Sequence, residues 1–110
     1  MKKLFLLSTI FIGLFSACSP RPKDIAKDYA EYMAKGDIWE AKKLVTKSTG
    51  ELLDLIVKTE AIDIKPDFEF KFIKDSIVKN KAWVTYTDQN GTEDTTGLLK
   101  IKGQWKVHIQ

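Results

Sequence analysis

Cysteine is nearly missing: the 110 residues hold one, Cys18. With no second thiol an intramolecular disulfide is impossible, so the fold must hold in an oxidising compartment by packing alone. Histidine is equally scarce. His108 and Cys18 are single residues, and the carboxylates are scattered along the chain, so no ligand spacing for a metal is found and no cofactor is expected. A Ser-centred nucleophile elbow, a glycine-rich phosphate loop and a Cys-x-x-Cys pair are all lacking, which removes any specific reason to propose their chemistry. No apolar run reaches the ~20 residues that a spanning helix needs to cross about 30 Å of hydrocarbon. Internal repeats and low-complexity segments are lacking too.

What is present begins with an address. Lys2 and Lys3 precede an apolar stretch from Leu4 to Phe15, interrupted only by Ser8, Thr9 and Gly13. This is the pattern of a secretion signal. The run closes on Phe15-Ser16-Ala17-Cys18, small residues directly before a cysteine, as in a bacterial lipobox with Phe15 in the usual place of Leu. The expectation is a signal over residues 1–17, a lipid on Cys18, a lipidated tether over 18–22 and a single domain over 23–110. The competing reading is an ordinary secretory signal with Cys18 a bystander thiol. Ser19 after the cysteine is not the Asp that retains many such proteins in an inner membrane. The expected location is therefore the bacterial cell envelope, the domain standing in the periplasm or at the cell surface and the membrane being its partner through Cys18.

Without Lys2 and Lys3 the 18 basic side chains fall to 16, against 15 acidic ones. The charges alternate in sign along the chain like a solvated surface, and nucleic acid is not an expected partner. Twelve aromatic residues, three of them in the signal, supply much of one core.

Local pattern orders the mature chain. Ser19-Pro20-Arg21-Pro22 resists helix until Pro22, which can open one. Ile25, Tyr29, Tyr32 and Met33 then recur at helical spacing up to Gly36, a favoured left-handed stop. Asp37 with Glu40 reads as a capping box for a second helix running through Val45, and Ser48 with Glu51 as another for a third, roughly Gly50 to Ala61. Leu52, Leu53, Leu55, Ile56 and Val57 would give that third helix a wide buried face. Beyond Pro66 the period becomes two. Phe68, Phe70 and Phe72 put three rings on one face of a strand; Ala82, Val84 and Tyr86 share a face of the next. Asp88-Gln89-Asn90-Gly91 is a strong turn, and strands from Thr95 to Ile101 and from Gln104 to Ile109 pair across Lys102-Gly103. The fold class is α+β: three N-terminal helices packed on a curved antiparallel sheet of about four strands.

Lys35-Gly36-Asp37, Ala41-Lys42-Lys43-Leu44-Val45, Lys81-Ala82-Trp83-Val84-Thr85-Tyr86 and Lys102-Gly103-Gln104-Trp105-Lys106-Val107 resemble, in that order, the nuclear transport factor 2-like superfamily. Within it the chain is similar to small bacterial lipoproteins of unknown function sometimes labelled lumazine-binding. The resemblance implies a sheet wrapped around the first helix as a cone with a pocket at its mouth. Enzymes of the superfamily, such as ketosteroid isomerases and dehydratases, carry a pocket set of Asp, Tyr or His that is not matched here residue by residue.

Candidate functional residues follow from composition and parity. Tyr29, Tyr32 and Trp39 on helices, with Phe70, Phe72, Tyr86 and Trp105 on strands, could line a pocket for a flat, mostly apolar ligand, or serve as core. His108 would be the obvious general base, but Trp105, Val107 and Ile109 take the apolar side of the last strand and turn it toward solvent or a partner. Lys100, Lys102, Lys106 and His108, taken as the outer face of the last hairpin, could meet an anionic membrane surface or an acidic partner, and a solvated strand face explains them equally well. No residue is singled out as catalytic. The expected function is a membrane-anchored, non-catalytic binding or accessory module, with a small apolar ligand or a protein as partner; the alternative is a small periplasmic enzyme using a polar group in the cone.

Overall fold

The computed structural model describes residues 20–109, so the expected signal and Cys18 lie outside the described residues. Three helices, α1 (Pro22–Lys35), α2 (Ile38–Lys42) and α3 (Lys47–Lys58), precede four strands, β1 (Lys71–Val78), β2 (Lys81–Thr87), β3 (Glu93–Ile101) and β4 (Gln104–Val107). The strands form one antiparallel sheet in sequence order. Among the described residues no helix is long and apolar enough to cross a membrane.

Local chemistry sets the limits of α1. Pro22 opens it, the Asp24 carboxylate accepts from the Arg21 backbone N–H at 3.1 Å, and Gly36 at φ 78° ends it. Asp37 N–H then donates to the Tyr32 carbonyl at 2.9 Å, a Schellman closure. The buried stripe contains Ile25, Ala26, Ala30 and Ala34. Three alanines let the helix backbone approach the sheet, where α1 lies chiefly over β2 and β4.

The two following helices differ from expectation. Asp37 does cap α2, accepting from Glu40 N–H at 3.3 Å, but the helix runs five residues and ends at Lys42, before Val45. Residues 44–46 instead lie parallel to β4: Val107 N–H donates to the Leu44 carbonyl at 2.8 Å, and Thr46 N–H to the Val107 carbonyl at 2.9 Å. The cap of α3 is Thr46, not Ser48, and the helix starts three residues earlier than expected. Its wide buried face does not exist. Leu53 is buried, whereas Leu52, Leu55 and Val57 are exposed, because α3 packs against α2 along one seam at the edge of the domain.

The sheet buries Ala82, Val84, Tyr86, Leu98 and Val107 on its inner face. Cross-strand partners Ala82, Leu98 and Val107 form one row of that core. The expected three-ring strand is only half realised: pairing starts at Lys71, and the register slips between Phe72 and Lys74, a bulge that reverses parity beyond Ile73. As the edge strand β1 is exposed along its whole length, Phe72 included.

Candidate functional site

The inner face of the sheet turns polar at the end nearest the Asp88–Thr92 turn. Tyr86 and Asp94 are direct cross-strand partners there, and the Tyr86 hydroxyl donates to Asp94 Oδ2 at 3.4 Å. Asp94 Oδ1 accepts from Thr95 N–H at 2.8 Å. Tyr29 reaches the same place from α1. Phe70 stacks on Tyr86 with centroids 4.5 Å apart, and Phe68 meets that ring edge-on at 6.4 Å.

Two hollows adjoin this group, and Tyr29, Tyr86 and Asp94 line both. The first, about 340 Å³, lies between α1 and the segment entering β1, with Met33, Ile56 and Phe68 among its apolar walls. The second, about 400 Å³, continues past Thr96 to His108. Volumes of this size suit a small organic molecule.

Burial and the Asp94 charge together set the electrostatics. Burial, reinforced by the Asp94 charge, pushes the Tyr86 hydroxyl up to about 12; the same two causes, in the same order, raise Tyr29. Both phenols therefore stay protonated at neutral pH as hydrogen-bond donors. The other acids nearby are engaged elsewhere: Asp63 stands 4.0 Å from Lys65, and Asp88 Oδ1 accepts from the backbone of Asn90 and Thr92. Among the described residues Asp94 has no cation within 4.0 Å. It is also exposed to solvent.

The seven aromatic candidates do not assemble as one set. Tyr29 and Tyr86 form the site and Phe70 backs it, while Tyr32 packs on the core. Trp39 is 71% exposed, because the inward stripe of α2 runs through Ile38 and Ala41 and turns the intervening position about 100° away. Phe72 lies under the Lys23 ammonium at 5.1 Å, and Trp105 sits by Pro20 and Ile25 beneath Lys100. Asp94 and Phe68 were not among the candidates. Centring the hairpin on Asn90 would have found Asp94, since that register sets it across from Tyr86.

His108 occupies the face opposite Val107, but it is not a solvated side chain. It is half-buried, its ring Nδ1 is 2.9 Å from Thr46 Oγ1, and its backbone N–H donates to the Gly97 carbonyl at 2.9 Å. Ile109, expected inward, is 43% exposed because β4 ends at Val107. Among the described residues no cluster of three or more metal-ligating side chains occurs.

No protein-family profile matches the chain, and no curated protein matches it in sequence. Its fold is that of a solved Campylobacter jejuni structure provisionally named a nuclear transport factor 2-like transpeptidase, with a TM-score of 0.60 over 83% of this chain and all of the other at 17% identity. The fold is thus nuclear transport factor 2-like.

Proposed function

We propose that this chain is a membrane-anchored lipoprotein of the bacterial cell envelope whose domain, a cone closed around α1, is a non-catalytic binding module for a small, mostly apolar ligand. The carrying observation is the group of Tyr29, Tyr86 and Asp94 between two hollows. Two protonated phenols and one carboxylate offer directional hydrogen bonds, and Met33, Ile56 and Phe68 offer an apolar wall. An acid–base enzyme would gain from a carboxyl withdrawn from water; Asp94 is exposed. The transpeptidase name of the Campylobacter structure is not carried over, since neither hollow is lined by a serine or a cysteine among the described residues. A small periplasmic enzyme is the second reading, favoured by the Tyr86–Asp94 contact alone.

Native mass spectrometry of the protein purified from its host tests the pocket. A stoichiometric small molecule, lost in Tyr29→Phe or Tyr86→Phe without loss of stability, is expected; an empty protein from every growth condition would remove the binding reading. The anchor rests on the Lys2-to-Cys18 pattern, and Cys18→Ser should release the protein from the membrane fraction. Unchanged membrane association of that variant would sink it.

A further inference from the structure

The near balance of charge over residues 18–110 hides a separation that appears only on folding. The two hairpin tips at one end of the sheet, Lys79-Asn80 and Lys102-Gly103, adjoin each other, because Lys100 N–H donates to the Asn80 carbonyl at 2.8 Å. Lys79, Lys81, Lys100 and Lys102 all belong to these tips. Residues 76–87 and 95–110 contain no acid at all. The opposite end is acidic: the turn from Asp88 to Asp94 holds three carboxylates and no cation, and Glu60, Asp63, Asp67 and Glu69 with Lys65 lie in the segment that borders the same mouth.

The N-terminal tether leaves from the basic end. Pro20, the first described residue, lines a hollow with Gly103, Gln104 and Trp105, beside the β3–β4 tip. Arg21 is there too, partly offset by Asp24 at 3.6 Å. Only Ser19 separates Pro20 from Cys18, and two steps of fully extended chain at about 3.6 Å each mean that a lipid on Cys18 holds this end within roughly 7 Å of its own backbone attachment. Strands of seven to nine residues keep the mouth about 25 Å away.

We infer that the lysine-bearing hairpin tips are a docking surface for an anionic phospholipid bilayer, so that the anchored domain stands with its Tyr29–Tyr86–Asp94 mouth facing away from the membrane. The inference rests on the lipoprotein reading for its tether. Charge adds to geometry here: basic tips are drawn to an anionic surface and the acidic mouth is repelled, over a screening length of about 8 Å at physiological salt that covers the tips and not the mouth.

Asn80 and Asn90 are exposed turn residues at the two ends. Mature protein carrying Asn80→Cys or Asn90→Cys is labelled with a fluorophore and reconstituted into vesicles of phosphatidylethanolamine and phosphatidylglycerol (3:1) with headgroup-attached quenchers. A thioether on Cys18 leaves the new thiol as the one that reacts. The Asn80→Cys probe should lose most of its fluorescence and the Asn90→Cys probe keep nearly all of it. Equal quenching, or stronger quenching of the Asn90→Cys probe, overturns the orientation. The intact mass of the same samples separates the two readings: an unacylated Cys18 overturns the lipoprotein proposal and this one with it, whereas acylated protein with equal quenching overturns this one alone. Adding Lys79→Glu, Lys81→Glu and Lys102→Glu should restore fluorescence at the Asn80→Cys site; an unchanged contrast would refute the role of charge.

Discussion

Replacing Thr46 with alanine removes the most connected hydroxyl among the described residues. Thr46 Oγ1 accepts from Thr49 N–H at 3.4 Å as the cap of α3, donates to Thr49 Oγ1 at 3.0 Å and meets His108 Nδ1 at 2.9 Å, all at a site only 7% exposed. With the hydroxyl hydrogen directed at Thr49, the imidazole Nδ1–H must be the donor to Thr46. Loss of a threonine cap costs ~1 kcal/mol. Each buried neutral hydrogen bond adds ~1 kcal/mol, discounted here because half-buried His108 can turn to water and Thr49 Oγ1 keeps the Ile109 N–H at 2.9 Å. Thr46→Ala should therefore destabilise by about 2 to 3 kcal/mol, a large part of the ~5 to 15 kcal/mol that holds a domain folded. In urea, where a domain of this size unfolds with a slope of about 1 kcal/mol/M, the midpoint should fall by about 2 to 3 M. Thr46→Ser should keep most of it. His108→Ala should cost ~1 kcal/mol, and the Thr46→Ala/His108→Ala cycle should show coupling of similar size. If Thr46→Ala unfolds within ~0.5 M of the parent, the hydroxyl does not join helix to strand and the reasoning fails.

The raised hydroxyl of Tyr86 predicts a pH dependence: the folded state holds that proton more tightly, so its contribution is full below the unfolded value near 10 and lost as pH climbs toward about 12. Stability measured by chemical unfolding from pH 9 to 11.5 should fall less in Tyr86→Phe than in the parent; parallel curves would contradict the assignment. Leu53→Ala should cost ~2 to 5 kcal/mol and Leu55→Ala about 0.5 kcal/mol or less, a pair of thermal melts that separates the buried position from the exposed one. Equal losses would mean that α3 buries a wider face.

The features that could be read in the sequence are those decided within a few residues. Gly36, the Asp37 cap, Asn90-Gly91 and the Ala82-Val84-Tyr86 face each depend on a local conformation or on strand alternation, and each sits where its pattern puts it, although Glu40 pairs with Lys43 rather than closing the box back onto Asp37. The start of α3 is different. Thr46 and Ser48 are both good caps, and the choice falls to His108, 62 residues further on, which no window includes. The bulge at Ile73 likewise breaks an alternation that looks unbroken in one dimension. For the site, Tyr29 and Tyr86 were legible as rings on inward stripes, whereas Asp94 looked like part of a polar turn. Only the pairing with Tyr86 brings its charge to the two phenols. The near balance of 16 basic against 15 acidic side chains over residues 18–110, too, concealed a lysine pole and a carboxylate pole.

The strip formed by residues 44–46 against β4 has a bearing on when this protein can fold. Val107 is fully buried between β3 and that strip, and Ile109 N–H and His108 Nδ1 reach back about sixty residues to Thr49 and Thr46. The N-terminal half cannot complete its core or the start of α3 from its own residues. Closure waits until residues 104–109 have been synthesised and threaded into place, and pairings so distant in sequence form slowly. A chain leaving the ribosome therefore keeps this core open until residue 109 has emerged.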